Sequence, residues 1–190
     1  MRRKKGYGFV MKAIVLLANG FEEVEGIVQI DYLRRAGIEV TSVSITEDKR
    51  IIGQSMITVE ADEILSRIDH TQYDMVVLPG GLKGMENLRE NEQVIQLIKA
   101  YHKEKKWIAA ICAAPSILGE LGILKDRNCI CYPGFEDRLQ GGKIVNEKAV
   151  RDEHIITSKG PGTSFDFAIK MIEALCGGEK AAEIIRQTQM

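Results

Sequence analysis

Three short segments hold the residues best suited to chemistry. In Trp107-Ile-Ala-Ala-Ile-Cys-Ala-Ala-Pro115 an apolar strand delivers Cys112 into a small-residue, proline-marked turn where a helix should start. Helix-end N–H groups at such a turn favour the thiolate, which is the nucleophile and the redox-active form. Small apolar surroundings are also where inert buried cysteines occur, so the remaining segments must decide. Pro79-Gly80-Gly81 bares backbone N–H groups that can approach a developing oxyanion or an oxidised sulfur. Gly20-Phe-Glu-Glu-Val-Glu25 offers three carboxyls, Glu22, Glu23 and Glu25, any of which could serve as donor to a thiolate, general base or proton shuttle. Spacing alone does not choose among them, and each is equally suited to the start of a helix.

The elements around these segments alternate. Lys12–Ala18 reads as a strand. An acidic helix start follows, with Val24, Ile27, Val28 and Leu33 on an apolar side and a stop at Ala36-Gly37. Ile38–Ile45 is a second strand, Arg50–Val59 a hairpin, and a helical stretch is expected from Asp62. Met75–Leu78 and Trp107–Ile111 are further core strands, separated by a helix whose Val94, Ile95, Leu97, Ile98 and Tyr101 recur at helical spacing. Such alternation predicts a mostly parallel sheet covered by helices on both faces. Ligands of such sheets gather beyond the carboxyl ends of the strands, so the three turns should meet there.

Composition narrows the partners. The 190 residues carry 26 Lys+Arg against 27 Asp+Glu, a net charge of -1, which supplies no field for nucleic acid or an anionic membrane. No apolar run approaches the roughly 20 residues of a membrane span. A soluble, cytoplasmic protein whose partner is a small molecule or another protein is expected, with residues 1–10 as an extension and 11–190 as one domain. The four cysteines form no CxxC pairs; Cys129 and Cys131 should face one side of a strand, as packing residues or as a metal or disulfide pair. His70, His102 and His154 read as surface residues without metal-ligand spacing. Gly160-Pro-Gly-Thr163 suits a helix N-terminus that could seat a phosphate, although the glycines, proline and threonine cap explain the turn alone. Pro79-Gly-Gly has the spacing of neither a dinucleotide fingerprint nor a P-loop.

Taken with Val76-Val-Leu-Pro-Gly-Gly81, Ala109-Ala-Ile-Cys-Ala-Ala-Pro115 and Thr157-Ser-Lys-Gly-Pro-Gly-Thr-Ser-Phe165, the Gly20–Glu25 motif resembles the signatures of the ThiJ/PfpI superfamily. It lies closest to the branch of the parkinsonism protein DJ-one and the bacterial ThiJ/YajL proteins, and runs from about Met11 to the C-terminal helix. The resemblance implies a flavodoxin-like three-layer α/β sandwich, a homodimer, and an oxidation-prone cysteine on a strained elbow. It places that cysteine at Cys112 and its partner carboxyl at Glu25. Backbone donors fall on Gly81 and Ala113, with Gly80 completing the turn, and Arg35 falls near the dimer interface and site. Tyr132-Pro133 stands where many relatives have a histidine before proline, and Ala113 where peptidase-like branches pair a histidine with the cysteine. The implied activity is a glutathione-independent glyoxalase, a hydro-lyase that converts methylglyoxal to lactate without metal or cofactor, or a deglycase, rather than a peptidase. The alternative is a redox-sensing, stress-response or chaperone-like protein acting through oxidation of Cys112.

Overall fold

The computed structural model describes residues 10–190; nine of the ten residues expected to form an N-terminal extension lie outside them. The elements run β1 (Lys12–Leu17), α1 (Glu23–Arg35), β2 (Glu39–Ser44), β3 (Arg50–Ile52), β4 (Thr58–Glu60), β5 (Glu63–Ile64), β6 (Met75–Leu78), α2 (Leu82–Glu90), α3 (Glu92–Lys103) and β7 (Trp107–Ile111). There follow α4 (Pro115–Glu120), β8 (Asn128–Cys129), β9 (Lys143–Ile144), β10 (Ala149–Asp152), β11 (Ile155–Ser158), α5 (Ser164–Cys176) and α6 (Gly178–Thr188). Seven strands form one sheet in the order β10-β11-β7-β6-β1-β2-β5. All its pairings are parallel except β10 with β11. The fold is a flavodoxin-like α/β sandwich. Strands β1, β6 and β7 are almost wholly buried, as a sheet covered on both faces requires. Because the chain passes from β1 to β2 on one side and returns through β6 on the other, a crevice opens beyond the carboxyl ends of β1 and β6.

Helix α1 departs from its expected orientation. Leu33 is buried, but Val24 and Ile27 are each 42% exposed. The face turned inward carries Glu25, Gly26, Gln29 and Tyr32. Helix α5 is the reason: it lies against that face, with Gln29 Nε2 donating to the Ser164 carbonyl (3.1 Å) and the Tyr32 and Phe165 rings 5.2 Å apart. The segment from Asp62 forms a short edge strand and two single 3₁₀ turns rather than a helix. There the Asp62 carboxylate accepts from the Ser42 N–H (2.8 Å) and pairs with Arg34 (2.6 Å), holding the chain along β2.

Helix α2 was not legible as a separate element; its buried Met85 and Leu88 lie three residues apart in a run too short to show a period. Cys129 and Cys131 are buried free thiols, only the first of them in a strand. His154 is buried rather than superficial: its Nε2 lies 3.1 Å from His102 Nδ1, where the β10–β11 turn stacks on the end of α3. Among the described residues no helix is long and apolar enough to cross a membrane.

Candidate active site

The three turns converge beyond the sheet. Strand β7 ends at Ile111, and Cys112 turns the chain into α4 with φ +65°, a left-handed conformation that costs a non-glycine residue about 1–2 kcal/mol. The surrounding strands hold that turn in place. The Cys112 N–H donates to the Ser158 carbonyl at the end of β11 (3.0 Å), and the Cys112 carbonyl accepts from the Tyr132 N–H (2.8 Å). Pro115 at the first helical position leads away into α4. Cys112 as a whole is left 9% exposed.

Each of the three candidate carboxyls has a different task. Glu22 caps its own helix by accepting the Glu25 N–H (2.8 Å). Glu23 reaches across to the β3–β4 hairpin, where Oε1 accepts the Ser55 N–H (2.7 Å). Glu25, fully buried, turns into the crevice; its Oε2 accepts the Gly80 N–H (2.7 Å), and its carboxyl lies beside the Cys112 side chain over Gly80. Its Oε1 is buried with no hydrogen-bond partner among the described residues. Gly80 is thus committed to holding the carboxyl, while the N–H groups of Gly81 and Ala113 point at the sulfur. A Cβ on Gly80 would lie 2.6 Å from both the Cys112 Cβ and Glu25 Oε2, so only glycine allows these two side chains to approach over the turn.

Arg35 stands apart from this cluster. It lies ten residues beyond Glu25 on α1, about 15 Å along the helix, and pairs with Asp31 (2.8 Å). Tyr132 is at the site: its backbone holds the elbow, and its ring packs over Gly160, beside which Glu25 Oε1 also lies. Gly160, read from sequence as part of a helix start, is therefore a wall of the site. The signal was available in the glycine itself, which leaves room for a ring on one side and a carboxyl on the other. Thr163 caps that turn locally, its Oγ1 accepting the Gly160 N–H (3.1 Å).

Burial sets the electrostatics. It pushes the Glu25 carboxyl up to about 7, against the opposing pull of the Gly80 N–H and the Cys112 thiol. Burial and then the charge of Glu25 push the Cys112 thiol up to about 12, while the Gly81 and Ala113 N–H groups pull it down. The elbow's helix-end position alone therefore does not yield a thiolate. One proton serves both groups: moving it from sulfur to carboxyl creates the thiolate and removes the charge that opposed it.

A consequence for stability follows from the sign of the Glu25 shift. The folded carboxyl, near 7, binds its proton more tightly than the unfolded one at 4.5, so its contribution is complete below pH 4.5 and is lost as pH rises through 7. Between pH 4.5 and 8, urea unfolding should show a Glu25→Gln chain gaining on the native chain by on the order of 3 kcal/mol. A difference that stays flat with pH would refute the shift.

Known proteins share this fold and much of this sequence. Residues 11–174 match the model of the DJ-1/PfpI family. The chain is 38% identical over 178 residues to the Parkinson disease protein 7 homolog of Danio rerio, covering 91% of this chain and 94% of that protein. It is 34% identical over 175 residues to the glutathione-independent glyoxalase DJR-1.2 of Caenorhabditis elegans, covering 91% and 92%. The crystal structure of Drosophila melanogaster DJ-1beta superposes with a TM-score of 0.92 at 35% identity, covering 96% of this chain and 99% of that one. With a family match over most of its length and relatives more than 30% identical across nine-tenths of it, the chain belongs to the DJ-1/PfpI family.

Proposed function

We propose that the chain is a cofactor-independent glyoxalase in which Cys112 is the nucleophile and Glu25 the proton shuttle. The observation that carries this reading is the buried Glu25 carboxyl, fixed by Gly80 at 2.7 Å and set beside Cys112, with burial pushing its pKa up to about 7. A carboxyl so tuned can give and take protons at neutral pH. The thiolate adds to the aldehyde carbon of methylglyoxal, and the new C–S bond turns the carbonyl oxygen into an oxyanion. The Gly81 and Ala113 N–H groups, released from the sulfur, stabilise that oxygen until Glu25 protonates it. Glu25 then removes the proton from the former aldehyde carbon and returns one to the neighbouring carbon. This internal redox step leaves a lactoyl thioester on Cys112. Water cleaves the thioester, giving lactate and restoring the thiol. Early methylglyoxal adducts on proteins or nucleotides would engage the same residues if the enzyme is a deglycase.

The test is lactate formation by the purified protein; no turnover above a Cys112→Ala control would overturn the proposal. Selective peroxide oxidation of Cys112, seen by mass spectrometry alongside negligible aldehyde turnover, would favour redox sensing instead.

A homodimer belongs to the same proposal. Val24 and Ile27 are exposed on α1, and Met56 and Ile57, also exposed, lie against the same helix through the Ile57 N–H bond to Glu23 (3.4 Å). A second copy is the occupant that the family's implied symmetry suggests for this apolar surface. Light scattering on an Ile27→Glu chain is expected to give the mass of a monomer and the native chain twice that; equal masses would overturn the dimer.

A further inference from the structure

Much of the wall around Cys112 is backbone. Gly80, Gly81, Ala113 and Gly160 contribute nothing larger than a methyl group, and Glu25 is engaged with the thiol and Gly80. Beside them stands one large aromatic surface. Tyr132 is 47% exposed, and its hydroxyl has no hydrogen-bond partner among the described residues. Its position is nonetheless well defined. The backbone N–H is tied to the Cys112 carbonyl at 2.8 Å. A Cβ placed on Gly160 would lie 3.1 Å from the ring's Cδ2 and 4.0 Å from Glu25 Oε1, so ring and carboxyl border the same small space.

The reaction of an α-oxoaldehyde, R–CO–CHO, involves only its two carbonyl carbons. With the aldehyde carbon bonded to a sulfur that is largely buried, R must extend toward solvent, and the half-exposed Tyr132, tied by its backbone to Cys112, stands on that path. We propose that Tyr132 determines specificity, favouring α-oxoaldehydes whose R group is flat and apolar over those with a methyl group or a hydrogen. The inference rests on the glyoxalase reading and extends it to the substrate class. Offset or edge-to-face contact between two rings contributes beyond the area they bury, whereas a methyl group offers the ring little to pack against. The chemical step is unchanged, so the effect falls on binding of the R group and is expressed as a ratio of kcat/KM values.

The experiment compares phenylglyoxal with methylglyoxal on the native chain and on Tyr132→Ala, Tyr132→Leu and Tyr132→Phe. The backbone bond to Cys112 is available in all of them. The native ratio of kcat/KM, phenylglyoxal over methylglyoxal, should fall about threefold to tenfold in Tyr132→Ala. It should fall by a similar amount in Tyr132→Leu, which restores bulk without a ring, and hold in Tyr132→Phe, which keeps the ring without the hydroxyl. A ratio unmoved by Tyr132→Ala, or one lost equally in Tyr132→Phe, overturns the inference while leaving the glyoxalase standing. No turnover of either aldehyde above the Cys112→Ala background overturns both.

Discussion

A Glu25→Gln chain should lose between about 10²-fold and 10⁴-fold in kcat for lactate formation while its Cys112 still reacts with iodoacetamide at a rate within about tenfold of native. Glutamine has the shape of the residue it replaces, and its amide oxygen can still accept the Gly80 N–H now bound by Oε2. The N–H groups of Gly81 and Ala113 continue to face the sulfur. What disappears is a group able to release and recapture a proton near pH 7, and the aldehyde reaction requires two such transfers on adjacent carbons. Alkylation requires none after the thiolate forms. Steady-state lactate assays beside alkylation kinetics separate the two requirements. Equal losses in both would mean that Glu25 acts only by shaping the thiol, and turnover close to native would remove it from the chemistry.

Cys112→Gly is the second large effect, and its two readouts diverge. Turnover should fall to the level of the uncatalysed reaction, because no other nucleophile shares the elbow. Thermal stability should hold or rise. Glycine adopts φ +65° freely, so the substitution relieves about 1–2 kcal/mol of backbone cost. Against this gain stand the loss of one small, largely buried side chain and of the thiol's favourable interaction with Glu25, the second of which Cys112→Ala shares. Cys112→Ala keeps the strain and should be the less stable of the two. Calorimetry on both variants tests the order, and a Cys112→Gly chain melting well below Cys112→Ala would show that the elbow is not strained.

The legible parts of this molecule were those fixed by local pattern. Runs such as Met75–Leu78 and Trp107–Ile111 could only be core strands, and the turns after them had to meet at one end of a parallel sheet. The choice among Glu22, Glu23 and Glu25 was not legible from spacing, because it depends on Gly80 and on the hairpin at Ser55, both distant in sequence. Resemblance pointed to Glu25; the hydrogen bonds give the physical reason. The same dependence misled the reading of α1. Val24 and Ile27 look like core residues until α5 is seen to occupy the opposite side of the helix. His154 looked superficial because nothing near it in sequence announces the His102 ring on which it stacks. Asp62 opens an edge strand because its carboxylate binds Ser42 and Arg34, and no helical period could reveal those contacts.

The two backbone bonds that hold Cys112 both come from parts of the chain made after it. Ser158 and Tyr132 both lie downstream of the cysteine, as does Gly160 beside Glu25. During synthesis on a ribosome, Cys112 therefore emerges before any of the three, and β7 must wait for β11 to pair along its open edge. For that interval the thiol belongs to an unfinished sheet, without its elbow or its far wall. Oxidants and alkylating aldehydes would find it during manufacture on different terms from those offered by the finished protein.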